Sequence, residues 1–289
     1  MGRVAGVAIA VVLLLTVSAC GERSEPTGPG AGLYPVTVPS PSGGKPLVVR
    51  RPARRIAVIA PSVQRIIVDL GAGRQIAGTP IAQNGSVMIP ELRALRPDLI
   101  VASSATDDQD LSQAARAVRG VSVYVAPDDS IRGVEQTITQ LGLITGRPAD
   151  AARLVREIEE KRVLVHKRLA GTPGVSVFVD TGFFTTASNQ SLIGDLLREA
   201  HVRNVAGDSP QVGPFDPREL TRLDPRYFLA TSDSGTTLAK LRKNPKTKKL
   251  PAVRAGRFVI VEADLLEPGP TIGQGLVELA HLLHPNAFR

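Results

Sequence analysis

An α/β fold built as two parallel-sheet lobes joined by one long helix is what this sequence predicts, on three observations. Short, strongly apolar runs alternate with helical stripes across short connections. One uninterrupted helical pattern of about twenty residues, roughly 30 Å long, lies in the middle of the chain. After it the strand–helix alternation starts again. The 289 residues are enough for two modest α/β domains, and apolar and charged contents are those of a globular protein.

In chain order, Met1-Gly2-Arg3 is a short basic start and Val4 to Leu15 an apolar run of signal-peptide length, too short to span a bilayer comfortably. It ends in Val17-Ser18-Ala19-Cys20-Gly21, which resembles a bacterial lipobox. Residues 1–19 are therefore expected to be a cleaved lipoprotein signal peptide, with Cys20 lipidated on its thiol. Cys20 is the sole cysteine, which excludes an intramolecular disulfide and a thiolate zinc site. Residues 20–33, rich in Gly, Pro, Glu and Ser, read as a flexible tether.

Residues 34–147 form the expected N-terminal lobe. Val36-Thr37-Val38 and Leu47-Val48-Val49 flank the turn-like Pro41 to Gly44, a hairpin pattern. Ile56 to Ala60, Leu99 to Ala102 and Val121 to Val125 read as strands buried on both faces. Between them, Ile66, Ile67 and Leu70 share one helical stripe, and Leu111, Ala114, Ala115 and Val118 another. A further helix runs from Ile131 to Thr145, with Val134, Ile138 and Leu141 inward and Gly146 as its stop. Residues 148–171 are the interlobe helix, with Leu154, Ile158, Val165 and Leu169 on its inner face. Residues 172–289 repeat the pattern, with strands at Val175 to Val179, Tyr227 to Ala230 and Phe258 to Val261. Helices are expected at Leu192 to Ala200, near Pro217 to Leu223, and at Thr271 to Leu283.

Several segments carry a family resemblance: Pro61-Ser62, Glu91 to Ile100 (ELRALRPDLI), Leu196 to Val205 (LLREAHVRNV), Leu250 to Arg257 (LPAVRAGR), and Pro268-Gly269-Pro270-Thr271 with the closing Leu283-His284-Pro285. In this order after a lipobox they resemble the class III periplasmic binding proteins for ferric siderophores, ferric citrate, haem and cobalamin. Within that family they look most like the actinobacterial FecB-type lipoproteins that handle ferric dicitrate. The resemblance covers about Pro35 to the C-terminus. It implies a non-enzymatic, lipid-anchored carrier on the outer face of the cell membrane that holds its ligand in a cleft between the lobes and hands it to an ABC importer. The alternative reading is an envelope lipoprotein of the same fold acting as an interaction scaffold. Neither reading needs a cofactor, a resident metal or a nucleic-acid partner, and the chain is expected to be a monomer.

In open parallel sheets ligands bind beyond the carboxyl ends of the strands. That rule nominates Ser62, Thr79, Ser103, Ser104 and Asp128 in the first lobe. In the second it nominates Asp180, Thr181, Phe183, Phe184, Phe215, Ser232, Asp264 and Glu267. Hydroxyls donate to chelate oxygens, and Phe faces cover apolar or macrocyclic surface. The family docks on its permease through one glutamate per lobe, for which Glu91 and Glu219 are the candidates. Each sits one residue later than the nearest family pattern, which falls on Pro90 and Arg218. The arginine that many members carry in the segment held here by Pro268 to Thr271 is also absent.

Net charge is +8. Its densest run, Lys240 to Lys249, lacks interleaved aromatics and reads as a solvated face rather than a nucleic-acid site. His166, His201, His281 and His284 follow no metal-protease spacing. Gly71-Ala72-Gly73 follows a helix and has Ile76 where a dinucleotide loop needs its third glycine. No Gly-x-Ser-x-Gly elbow is present.

Overall fold

The computed structural model describes residues 33–39, 46–208 and 214–289. The signal peptide, Cys20, nearly all of the tether and the expected hairpin turn at Pro41 to Gly44 lie outside the described residues. The flanking strands do pair: β1 (Val36–Val38) runs antiparallel to β2 (Leu47–Val49), with Val36 opposite Val49.

The first lobe is β3 (Ile56–Val58), α1 (Pro61–Ile67), β4 (Ile76–Gly78), α2 (Ile89–Ala94), β5 (Leu99–Ser103), α3 (Asp108–Ala117), β6 (Ser122–Ala126) and α4 (Ile131–Thr145). Its four strands are parallel in the order β4-β3-β5-β6. The central strands β3 and β5 are buried along their whole length, whereas the edge strand β6 is only partly covered. The expectation of strands buried on both faces therefore holds for two of the three. Ala115, expected inward on α3, is exposed; Ala114 and the flanking Leu111 and Ala117 carry that contact. In α4, Val134, Ile138 and Leu141 are fully buried. The helix is capped by the Ser130 hydroxyl on the Gly133 N–H (3.1 Å) and ends at Gly146 in left-handed geometry, φ 76°.

Next comes α5 (Pro148–Leu169), with proline in its first turn and Leu154, Ile158, Val165 and Leu169 buried. The second lobe is β7 (Val175–Asp180), α6 (Leu192–Glu199), β8 (Val202–Asn204), α7 (Leu220–Leu223), β9 (Tyr227–Thr231), α8 (Leu238–Lys243), α9 (Pro251–Arg254), β10 (Phe258–Val261) and α10 (Ile272–Leu283). Its strands are parallel in the order β10-β9-β7-β8. β4, β8, α8 and α9 have no counterpart in the sequence reading. The strands are three residues long without an apolar run, and α8 lies in the lysine-rich stretch with only Leu241 buried.

α5 is more than a connector, because α4 and α10 both seat directly on it. A methyl group at Gly142 of α4 would collide with the Ala151 side chain, and one at Gly273 of α10 would meet the Ile158 Cα at 3.2 Å. The close approach that glycine permits fuses the cores of the two lobes into one apolar cluster running from Val38 to Leu283. Five of the seven Phe gather in or against a separate second-lobe cluster around Phe178, Phe215 and Phe228.

Candidate ligand cleft

Parallel strands with intervening helices place strand carboxyl ends and helix N-termini on one side of each sheet, and that side carries the candidate residues. In the first lobe three of them converge. The Asp128 carboxylate, beyond β6 and 8% exposed, accepts from the Ser104 hydroxyl at 2.5 Å and from the Ser62 hydroxyl at 3.5 Å. Ser103 is buried beside them, its hydroxyl accepting from the Ala105 N–H at 3.2 Å. An open depression of about 520 Å³ lies over this rim, lined among others by Ser62, Asn84, Ser86, Ser103 and Thr106. Thr79 stands apart on the exposed loop after β4.

In the second lobe the chain does something unusual at the end of β7. Gly182, Phe183 and Phe184 follow one another at φ 128°, 53° and 63°. Non-glycine residues in left-handed geometry cost of order 1 kcal/mol or more each, and two in a row persist only when their surroundings hold them. The holder is Asp180. One carboxylate oxygen accepts from the N–H groups of Gly182 (2.9 Å) and Phe184 (3.0 Å), the other from the Thr236 hydroxyl (2.7 Å). Thr181 closes the same turn through its hydroxyl on the Thr185 carbonyl, 3.0 Å.

The strained turn separates the two rings. Phe184 packs inward, edge-on to Phe228 at 6.2 Å, while Phe183 is 86% exposed. Both border an open hollow of about 470 Å³ with Ser234, Gly235, Thr236 and Lys240. Two nominated residues are placed elsewhere than expected. Asp180 is fully buried and serves as the post of this turn, and Phe215 is 4% exposed, packed at 5.6 Å on Phe178 in the core. Spacing could not separate Phe215 from Phe183, since both are aromatic residues in polar, Gly- or Pro-containing stretches. Ser232, Asp264 and Glu267 are exposed near the ends of β9 and β10, where the Ser232 hydroxyl accepts from the Ala263 N–H at 3.1 Å.

Glu91 is exposed in the first turn of α2, and Glu219 at the start of α7 lies 3.8 Å from Arg222. Arg218, at the position of the family pattern, forks instead onto Asp216 at 2.7 and 2.9 Å. One residue that sequence reasoning missed is Arg65. From α1 of the first lobe its Cδ stands 3.9 Å from where a side chain at Gly269 of the second lobe would begin. An arginine of the opposite lobe thus stands beside the segment where an arginine was sought and not found. The only signal in the sequence was its i,i+4 spacing to Asp69, with which it pairs loosely at 3.8 Å.

The lobes are tied behind these rims by charge. Arg162 of α5 reaches Glu135 of α4 (3.5 Å), Glu159 (2.7 Å) and Glu199 of α6 (3.3 Å), and His166 meets Glu199 at 2.7 Å. Burial pushes the Glu135 carboxyl up to about 7, with Glu159 adding to the push and Arg162 opposing it. Glu199, although burial opposes it, is held below the usual carboxylate range by Arg162 and His166. The remaining three histidines have structural contacts: His201 meets the Thr172 carbonyl at 3.4 Å, His281 faces Phe288 at 5.7 Å and buried His284 meets the Ala200 carbonyl at 3.0 Å. Among the described residues no three His, Cys, Asp or Glu side chains converge as a metal site would require.

The sequence matches the family model described as periplasmic binding protein over residues 77–265. No curated protein matches it. Among solved structures it is similar to CeuE of Helicobacter pylori in a nickel–histidine complex, at 16% identity and TM-score 0.74, covering 88% of this chain and 89% of that one. It is also similar to the periplasmic haem-binding protein RhuT of Roseiflexus sp. RS-1 (19% identity, TM-score 0.67, 81% and 99% covered). A third is the molybdate-binding MolA of Haemophilus influenzae, at 16% identity and TM-score 0.73, with 84% and 90% covered. At these identities the likeness is one of fold.

Proposed function

The chain belongs to the periplasmic binding protein family, and from that premise we propose that it captures a metal chelate with apolar or π surface, a lipophilic ferric siderophore or haem, for delivery to an ABC importer. Export follows from the family. Anchoring to the outer face of the membrane through a lipidated Cys20 is part of the same proposal, as is work as a monomer without cofactor. No helix among the described residues is long and apolar enough to cross a membrane.

The observation that carries the ligand class is Phe183: an 86% exposed ring on a strained turn fixed by a fully buried aspartate. An exposed aromatic ring held in place is a preorganised apolar contact, and covering it with ligand gains about 1–3 kcal/mol. A ring offers no donors to a bare anion, and the Ser62 and Ser104 hydroxyls donate to Asp128, so ferric dicitrate, the ligand implied by the FecB-type resemblance, would depend on Arg65.

The test is a set of titrations with haem, a lipophilic ferric siderophore and ferric citrate, followed by absorbance of the ligand because the chain has no tryptophan. Saturable binding is expected, tighter for the apolar chelates, with Arg65→Ala weakening ferric citrate the most. Tighter binding of ferric citrate by the wild type would return the site to the small-anion class. Silence with all three would favour the second reading, an envelope scaffold, for which the Arg218–Asp216 fork at the docking position speaks.

A further inference from the structure

Where the strands of the second lobe begin, the surface carries positive charge that no acid answers. Two open hollows of about 400 and 540 Å³ meet there at Val175, the first residue of β7, and at Arg226, which directly precedes β9. Arg168, in the last turn of α5, stands on one hollow, and Arg198, His201 and Arg203 stand on the other. Neither lining contains a carboxylate side chain. Arg198 is paired with Asp195, whereas Arg168, Arg203 and Arg226 are exposed and take part in none of the ion pairs formed among the described residues.

Cations in a last helical turn complement the helix dipole, which accounts for Arg168 and Arg198. That reason does not reach Arg203, inside β8, or Arg226, which is in no helix. Buried His284, on the rim of the first hollow, registers the charge. Its ring is held below the usual histidine range chiefly by burial and further by His201 and Arg226, against the pull of its bond to the Ala200 carbonyl.

Hydrogen-bonding capacity at this rim is equally one-sided. The His201 carbonyl accepts from the Val175 N–H (3.1 Å), the Thr172 carbonyl meets the His201 ring (3.4 Å), and the Ala200 carbonyl meets His284 (3.0 Å). What remains is donors: the guanidinium groups, and the Ser176 hydroxyl, which accepts from the Arg226 N–H at 3.1 Å and keeps its own proton to give. Such a surface fits a partner that only accepts. A peptide brings N–H groups that need acceptors, and a nucleic acid brings bases that need faces to stack on. Apart from imidazoles, the only ring in the two linings is Tyr227, and the Arg226 guanidinium lies over it, 5.9 Å from the ring centre. Guanidinium forks match phosphate oxygens two at a time.

We propose that Arg168, Arg226 and Arg203, in that order across the two hollows, form a binding track for a linear phosphate polymer without bases. A compact anion fills neither open hollow, whereas a chain passing Arg226 reaches both. Amino and carboxyl ends of parallel strands lie on opposite edges of a sheet, so the track is separate from the cleft and leaves it free for its own ligand.

The test is a titration of end-labelled inorganic polyphosphate with the exported protein, followed by anisotropy, with polyglutamate and single-stranded DNA of matching charge as comparisons. Saturable binding of polyphosphate that weakens steeply with salt is expected, about tenfold tighter than that of either comparison polymer. Arg168→Glu with Arg203→Glu and Arg226→Glu should weaken it about tenfold or more and make the salt dependence shallower. Lys243→Glu with Lys248→Glu and Lys249→Glu, the same change in net charge, should weaken it by less than about threefold. Glutamine at the same three arginines, with circular dichroism confirming the fold, should give the same ordering with a smaller loss, and decides the matter if the glutamate variant does not fold. Absence of saturable binding, an equal loss in the lysine variant, or polyglutamate or DNA bound as tightly as polyphosphate would overturn the proposal.

Discussion

The Asp195 carboxylate, in the first turn of α6 in the second lobe, accepts a 2.8 Å hydrogen bond from the backbone N–H of Ile131, the first residue of α4 in the first lobe. Asp195 is 7% exposed, so a helix end of one lobe is satisfied by a buried charge of the other. Asp195→Ala is expected to destabilise the protein by about 1.5–3 kcal/mol, the range for a hydrogen bond to a charged group. Asp195→Asn should cost less. Urea unfolding followed by circular dichroism measures both, and an Ala variant as stable as wild type would show that the contact does not tie the lobes.

Phe183 and Phe184 should part company under mutation. Phe183→Gly removes an exposed ring and relaxes left-handed backbone, so stability should hold or rise by about 1 kcal/mol while affinity for an apolar chelate falls. Phe184→Ala empties a place against Phe178 and Phe228, and should cost about 2–4 kcal/mol of stability. Paired titration and thermal melts of the two variants check this. A Phe183→Gly protein with wild-type affinity would remove the ring from the site.

Glu135 makes stability depend on pH in a direction opposite to ordinary carboxylates. Its folded pKa, about 7, lies above its ordinary 4.5, so the folded state holds the proton more tightly. Its contribution is fully present below about 4.5 and is lost as pH rises through 7. Glu135→Gln, which cannot ionise, should remove that loss. The variant's unfolding free energy relative to wild type should increase between pH 5 and pH 8 by of order 1–2 kcal/mol. A difference independent of pH would show that Arg162 keeps Glu135 ionised throughout.

Cys20→Ser should abolish fatty-acid labelling and leave the protein unprocessed or released from the membrane fraction, with the far-ultraviolet spectrum of the fold unchanged. Persistent labelling of the variant would reject the lipobox reading.

Most of the architecture was legible in the sequence because periodicity is local. Ile66, Ile67 and Leu70, Val134, Ile138 and Leu141, and Leu154, Ile158, Val165 and Leu169 were each read as inward faces and are buried. Parallel strands buried on both faces announced themselves in the same way. The segments that escaped, β4, β8, α8 and α9, are three to six residues long and carry too few apolar positions to show a period. Depth was equally invisible. Phe183 and Phe215 look alike in sequence, yet one is exposed and the other lies in the core, because a side chain's surroundings are supplied by residues far along the chain. The convergence of Ser62, Ser104 and Asp128, the turn held by Asp180, and the reach of Arg65 to Gly269 join positions separated by up to about two hundred residues. Sequence alone determined the longer helices and the apolar strands, since those follow from each residue's near neighbours. The tertiary structure decided which of the candidates meet, because long-range packing brings their side chains together.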